Sequence, residues 1–307
     1  MTRILIDCDP GLDDAVALLA ACHSPLLDVV AITTVAGNVG GAQTAQNGRI
    51  IRTLADSEDI PVHAGAPRPI LRDPVTAEDF HGTTGLGGLD VPEPSAPLSP
   101  THAVNALIEH CRAAKSDLLT LVMTGPMTNM ALALTMAPDI MEGISEIVLM
   151  GGADREGGNI TPFAEFNIYA DPHAAAAVFG CGLPIRCLSL DVTHTLRTTK
   201  DRLSQVRAVD TSQADYAAAF LEASCKLEFS AKGRRDAPLH DPSTVIALAY
   251  PHLFEGRRAH VSVVTQEGEQ FGRTIPHFAD DGPVLWYDKA DVEGVFKALC
   301  AMLEGAA

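Results

Sequence analysis

The sequence is poor in positive charge. Its 22 lysines and arginines face 39 aspartates and glutamates, leaving a formal net charge of −17. Such a field repels a polyanion, so nucleic acid is not expected as a partner; a small neutral substrate meets no such barrier. Long apolar runs are also missing. The longest, such as Ala15 to Cys22, fall far short of the ~20 residues that cross a bilayer, and no membrane partner is expected. Paired cysteines are absent: the seven cysteines are scattered, odd in number and never spaced as CxxC. That argues against a disulfide framework and a zinc ribbon, and it fits small buried side chains in a reducing compartment. No apolar signal region precedes the opening MTRILIDCDPG, so a cytoplasmic protein is the expectation.

What the chain does have is ample core material, 47% hydrophobic residues, arranged in an alternation of β-like and helix-like segments. Arg3 to Asp7, Leu27 to Val35, Val62, Leu118 to Met123, Glu146 to Met150 and Ile185 to Leu190 read as strands. Asp13 to His23, Ala42 to Ala55, Thr101 to Ala114, Met127 to Met136 and Pro172 to Phe179 read as helices. This rhythm predicts a parallel sheet covered by helices on both faces, and strands apolar at nearly every position agree. Ligands in such folds sit beyond the carboxyl ends of the strands. Polar or glycine-rich groups follow those ends: Asp7 and Asp9, Gly37-Asn38, Thr124-Gly125, Gly151-Gly152 and Asp191. Two stretches break the rhythm, Pro67 to Pro100 with its seven prolines and Lys226 to Pro242 with its charged patch. No repeat or interdomain linker is visible, and one domain over residues 1–307 is the simpler reading.

The strongest local signal is Asp7-Cys8-Asp9-Pro10-Gly11-Leu12-Asp13-Asp14, four carboxylates on one strand-to-helix turn. One or two could cap the helix, but four like charges repel unless something positive neutralises them. A hard divalent cation with oxygen ligands does so economically. The spacing is not that of an EF-hand, since Gly11 takes the fifth position of such a loop. An aspartyl-phosphate phosphatase, with Asp7 or Asp9 as nucleophile, stays open at this point.

The same turn, Asp7 to Ala15, resembles the signature of the inosine-uridine nucleoside hydrolase family. The resemblance continues in order through Gly37-Asn38, His81-Gly-Thr-Thr-Gly85, Thr124 to Asn129, Val148 to Gly152, Asn159 with Ala164 to Asn167, and His240-Asp241-Pro242. It implies an α/β fold with a mostly parallel central sheet, flanked by helices around a Rossmann-like core. It also implies calcium-dependent hydrolysis of the N-glycosidic bond of a ribonucleoside to free base and ribose. The implied calcium ligands are Asp9, Asp14, Asp241 and the backbone carbonyl of Thr124. Asp9 matches the general base acting on a calcium-bound water. Asp13, Asn38, Glu165 and Asn167 match groups that hold the ribose hydroxyls, and Asn159 one that meets the 5′-hydroxyl. These carboxylates and amides suit hydroxyls that both donate and accept, beside a ring that turns oxocarbenium-like. His240 is the candidate acid for the leaving base, with His81 as a second histidine near it. Phe163 and Phe229 are candidates for the base pocket, and Met150 for the floor under the ribose. Residues Gly82 to Gly88 are a candidate lid. A homodimer or homotetramer is typical of such proteins. Two rivals from other classes remain: a non-catalytic nucleoside- or ribose-binding protein, and a magnesium-dependent phosphohydrolase built on the N-terminal aspartates.

Overall fold

The computed structural model describes residues 1–77 and 82–306. Its centre is a nine-stranded sheet. Seven strands run parallel in the order β3 (Val62–Ala64), β2 (Leu27–Thr34), β1 (Thr2–Cys8), β4 (Leu119–Met123), β5 (Ile144–Met150), β6 (Ile185–Leu188) and β11 (Val284–Ala290). The mostly parallel sheet expected from the alternation is present. Its far edge is antiparallel: β9 (Phe254–Val263) pairs with β11, and β10 (Thr274–Phe278) closes the sheet against β9. A separate two-stranded ribbon joins β7 (Arg197–Thr198) to β8 (Ala237–Pro238).

Residue alternation along β1 divides the core in two. Ile4 and Ile6 face a layer that includes helices Leu12–His23, Ser212–Lys232, Pro242–Ala249 and Val292–Glu304. Leu5 faces the layer of helices Ala103–Ala113, Thr128–Met136 and Pro172–Phe179. This is the period of two that a strand imposes. With both faces covered, a strand such as β4 (LTLVM) is buried at every position, which is why apolar runs rather than alternation marked the strands.

The strand order reverses at β1, with β2 and β3 on one side and β4 onward on the other. Crossovers leave in opposite directions there and open a crevice at the carboxyl ends of β1 and β4. The aspartate turn and Thr124 begin at those two ends.

Two boundaries differ from the sequence reading. Strand β6 stops at Leu188, and Leu190–Thr193 forms a helical turn that carries Asp191. Helix Ser212–Lys232 runs 21 residues, well into the stretch that seemed to break the rhythm at Lys226, and ends at left-handed Gly233 (φ 69°). Its hydrophobic side is mostly alanine, which marks a close helix contact without a strong apolar signal. Among the described residues no helix is long and apolar enough to cross a membrane.

Candidate active site

Asp9 leaves the end of β1 and is buried. The Asn38 backbone N–H donates to its Oδ2 at 2.7 Å, and the Asn38 side-chain amide donates to the Asp9 carbonyl at 3.0 Å and to Asp14 Oδ2 at 3.1 Å. Two glycines allow this approach. A Cβ at Gly125 would stand 2.7 Å from Asp9 Oδ1, and one at Gly37 would stand 2.8 Å from Asp9 Cγ. The loops after β2 and β4 therefore close on one carboxylate, and any side chain at either glycine would displace it.

Asp14, in the first turn of helix Leu12–His23, accepts from the Gly11 N–H at 3.0 Å and from the Thr124 hydroxyl at 2.7 Å. Asp241 precedes Pro242 at the start of helix Pro242–Ala249, yet its side chain makes no capping hydrogen bond. The capping role that Asp-Pro suggests is not what holds this carboxylate. Ligand oxygens of Asp13, Asp14 and Asp241 all lie within 4.8 Å of one another. Burial, followed by the neighbouring Asp14, raises Asp9 well above the ordinary carboxylate range. Burial, then Asp13, Asp14 and Asp9, does the same to Asp241. Asp13 is raised chiefly by burial. Asp9 Oδ1 and Asp13 Oδ1 are buried with no hydrogen-bond partner among the described residues. Buried polar atoms are normally satisfied; four carboxyl groups that repel one another, two of them with an unmet oxygen, form a donor set that fits a hard cation.

Asp7, by contrast, is consumed by the fold. Its Oδ1 accepts from the Thr33 hydroxyl at 2.6 Å and the Asn129 amide at 2.8 Å, tying β1 to β2 and to helix Thr128–Met136. Burial pushes its pKa up to about 6.

Beside the cluster opens a cavity of about 180 Å³. Asp13, Asn38, Thr124 and Asp241 line it, together with Met150, Asn159, Glu165 and Asn167. Glu165 caps helix Phe166–Ala170, accepting from the N–H groups of Gly152, Asn167 and Ile168. Burial still pushes it up to about 7. The Asn167 amide donates to the carbonyls of Thr124 at 2.8 Å and Met150 at 3.2 Å. The Thr124 carbonyl, which has two lone pairs, is thus fixed in direction. Asn159 accepts from the Phe166 N–H at 2.9 Å.

Helix Ser212–Lys232, strand β8 and His194, the residue after the turn Leu190–Thr193, supply more of the lining of the cavity. His240 lines it, its Nδ1 2.8 Å from the Thr193 hydroxyl. So do His194, Ser224, Glu228 and Lys232, of which only Lys232 stood out in the sequence, as part of the charged patch. His194 lies 5.7 Å from the His240 ring and 3.1 Å from Glu156, and burial lowers its pKa. Asp191 sets that contact by accepting from the N–H groups of Asp154, Arg155 and Glu156. An acidic residue beyond the sixth strand was visible in the sequence; that it organises this loop was not. Phe163 and Phe229 stand outside the lining: the Arg273 guanidinium lies over the first ring and Arg235 over the second, which is half exposed. His81 lies outside the described residues. In the candidate lid, Leu86 is buried and the Asn47 amide joins the Thr84 carbonyl to that of Pro10, each at 2.8 Å.

A family model for inosine-uridine preferring nucleoside hydrolases matches residues 4–298. The chain belongs to that family. It is therefore a nucleoside hydrolase, an enzyme that cuts an N-glycosidic bond with water. The pyrimidine-specific ribonucleoside hydrolase RihA of Photobacterium profundum is 43% identical over 273 residues, covering 89% of this chain and 87% of that protein. Among solved structures, the plant nucleoside hydrolase PpNRh1 superposes with a TM-score of 0.90 at 30% identity, over 99% of each chain. The purine-preferring ribonucleoside hydrolase from Gardnerella vaginalis gives 0.91 at 29% identity, over 99% of this chain and 98% of its own. The sheet described above is the nucleoside hydrolase fold.

Proposed function

We propose that this nucleoside hydrolase is calcium-dependent and acts on ribonucleosides of the uridine, cytidine and inosine class. The observation that carries the reading is the Asp9 carboxylate, cradled by two glycines, with one oxygen buried and unmet beside three further carboxyl groups. The donor set is oxygen throughout, as a hard cation prefers, and Asp9, Asp14, Asp241 and the Thr124 carbonyl are the proposed calcium ligands. Held there, calcium would supply the charge that lets these groups ionise together and would make an attacking water more acidic.

The protein's own groups do the rest. Asp9 takes the proton of that water as its oxygen attacks the anomeric carbon. Asp13, Asn38, Glu165 and Asn167 hold the ribose hydroxyls, Asn159 meets the 5′-hydroxyl, and Met150 lies under the ring. Their carboxylates place negative charge where the ring turns cationic. His240, oriented by Thr193, delivers a proton to the leaving base, with His81 as its second. The 43% identity to a pyrimidine-specific relative favours uridine or cytidine within the class. We take the chain as one domain over 1–307, because strands from Thr2 to Ala290 share one sheet. Cytoplasmic location and assembly into a homodimer or homotetramer belong to the same reading. All seven cysteines are free, in keeping with a reducing compartment.

Asp9→Ala tests the mechanism. Turnover of every ribonucleoside should fall below detection while circular dichroism and the melting transition persist. A variant with wild-type kcat removes Asp9 from the chemistry. His240→Ala should instead lose activity in proportion to the basicity of the leaving group.

A further inference from the structure

The lining that holds Asp13 and Asp241 also holds a buried carboxylate, Glu228, and one ammonium, Lys232. Glu228 is 2% exposed and receives Arg197 at 3.6 Å and Lys232 at 3.3 Å. Arg197 is committed elsewhere, since its guanidinium also donates to the carbonyls of His194 and Asp236. It neutralises Glu228 from behind. Lys232 is the surplus charge. It lies one turn beyond Glu228 on the same helix, is 48% exposed and lines the cavity. Solvent screens the half-exposed ammonium, and Glu228 has a second cation in Arg197. The ammonium can therefore turn to a substrate while Arg197 stays with Glu228.

We propose that Lys232 and Glu228 read the leaving base and that Lys232 stabilises its departure, an inference that rests on the nucleoside hydrolase reading above. Ribosyl cleavage separates charge, making the sugar positive and the base negative. Carboxylates and an ammonium in one lining can meet the two charges separately. In the step itself the water oxygen bonds to C1′ and its proton goes to Asp9. The C1′–N1 electron pair stays with the base and spreads onto O2, where Lys232 donates, and His240 supplies the proton that makes the base neutral. Glu228, an acceptor only when ionised, then meets the neighbouring ring position. Uracil offers an N3–H there beside O2, so the Lys232–Glu228 pair matches its donor–acceptor edge. Cytosine presents a bare N3 lone pair to the same carboxylate and is disfavoured. The pair thus selects bases with adjacent oxo and N–H groups, uridine over cytidine.

The test measures kcat and KM of the calcium-loaded enzyme and its variants on uridine, cytidine and 4-nitrophenyl riboside, whose leaving group departs without help. The wild type should prefer uridine by about tenfold, the scale of an unpaired buried polar group. Lys232→Met should lower kcat on uridine by about a hundredfold, as loss of one donor to a developing anion does. Its loss on the nitrophenyl riboside should be many times smaller, and Lys232→Arg should recover part of the uridine rate. Glu228→Gln, able to donate to N3, should erode the uridine preference. Equal losses of Lys232→Met on both ribosides, or an unchanged uridine to cytidine ratio in folded Glu228→Gln, would overturn the proposal. No wild-type turnover of any riboside, nitrophenyl included, would instead overturn the hydrolase reading beneath it.

Discussion

Gly37→Ala is the most economical perturbation of this site, because it adds one methyl group and changes no charge. The new Cβ would stand 2.8 Å from Asp9 Cγ and closer still to Oδ2, with Pro126 Cδ 2.9 Å away on its other side. Ordinary carbon contacts are roughly 3.5–4.0 Å, so the carboxylate must retreat by about 1 Å. The methyl cannot escape the other way, since Pro126 is rigid. Retreat breaks the 2.7 Å hydrogen bond from the Asn38 N–H and moves the proposed base off its water. Misplacement on this scale costs about a hundredfold in rate. Gly37 is not among the residues with positive φ, so an alanine there introduces no backbone strain of its own. Gly40→Ala, three residues on in the same loop, meets nothing within 4 Å and serves as the control. The assay is kcat/KM for base release at saturating calcium, with melting temperatures alongside. Gly37→Ala within about threefold of wild type, at unchanged calcium affinity, would refute the argument that this cradle positions Asp9.

Further consequences concern pH and the far loop. The buried carboxyl groups titrate high, Asp7 at about 6 and Glu165 at about 7, against 3.8 and 4.5 in the open chain. A folded-state pKa above the unfolded one means that the native state binds more protons, so each contributes stability that is present below pH ~4 and lost as pH rises through ~7. Each is worth roughly 3 kcal/mol at most. Chelated protein should therefore melt at its highest temperature in mild acid and weaken toward neutral pH, while calcium should stabilise it most at neutral pH. A flat melting profile in chelator would contradict this. Asp191→Ala removes the acceptor for three consecutive N–H groups and frees Glu156 from His194. Stability should drop by about 2 kcal/mol and kcat/KM by about tenfold, read by denaturant unfolding and initial rates. Native activity in that variant would show the loop to be indifferent to catalysis.

Much of this was legible in the sequence for identifiable physical reasons. Parallel strands buried on both faces print as apolar runs, and the side chains beyond their carboxyl ends print as isolated polar groups, which is how Asp9, Asn38 and Thr124 were located. The antiparallel edge was harder, because half-exposed strands such as β9 (FEGRRAHVSV) carry charges that blur the pattern. Helix Ser212–Lys232 supplies Ser224, Glu228 and Lys232 to the cavity, yet a polar residue on an amphipathic helix looks the same whether it faces solvent or a pocket. The i, i+4, i+8 spacing of those three, on one face of a helix, was the available signal. His194 is set by a loop that Asp191 holds from 35 or more residues away in sequence, and no local pattern carries such information. The aspartate cluster was legible for the opposite reason: like charges cost too much to gather by accident.

The central claim, calcium-dependent cleavage of a ribonucleoside by these residues, is met most directly by chromatography of free base and ribose. Uridine, cytidine, inosine and adenosine are incubated with the enzyme in calcium and, in parallel, after prolonged chelation. The account predicts release of base and ribose in equal amounts, fastest from a pyrimidine ribonucleoside, abolished by chelation and restored by added calcium. Release that survives complete removal of the metal, or no release from any nucleoside with calcium bound, would contradict it.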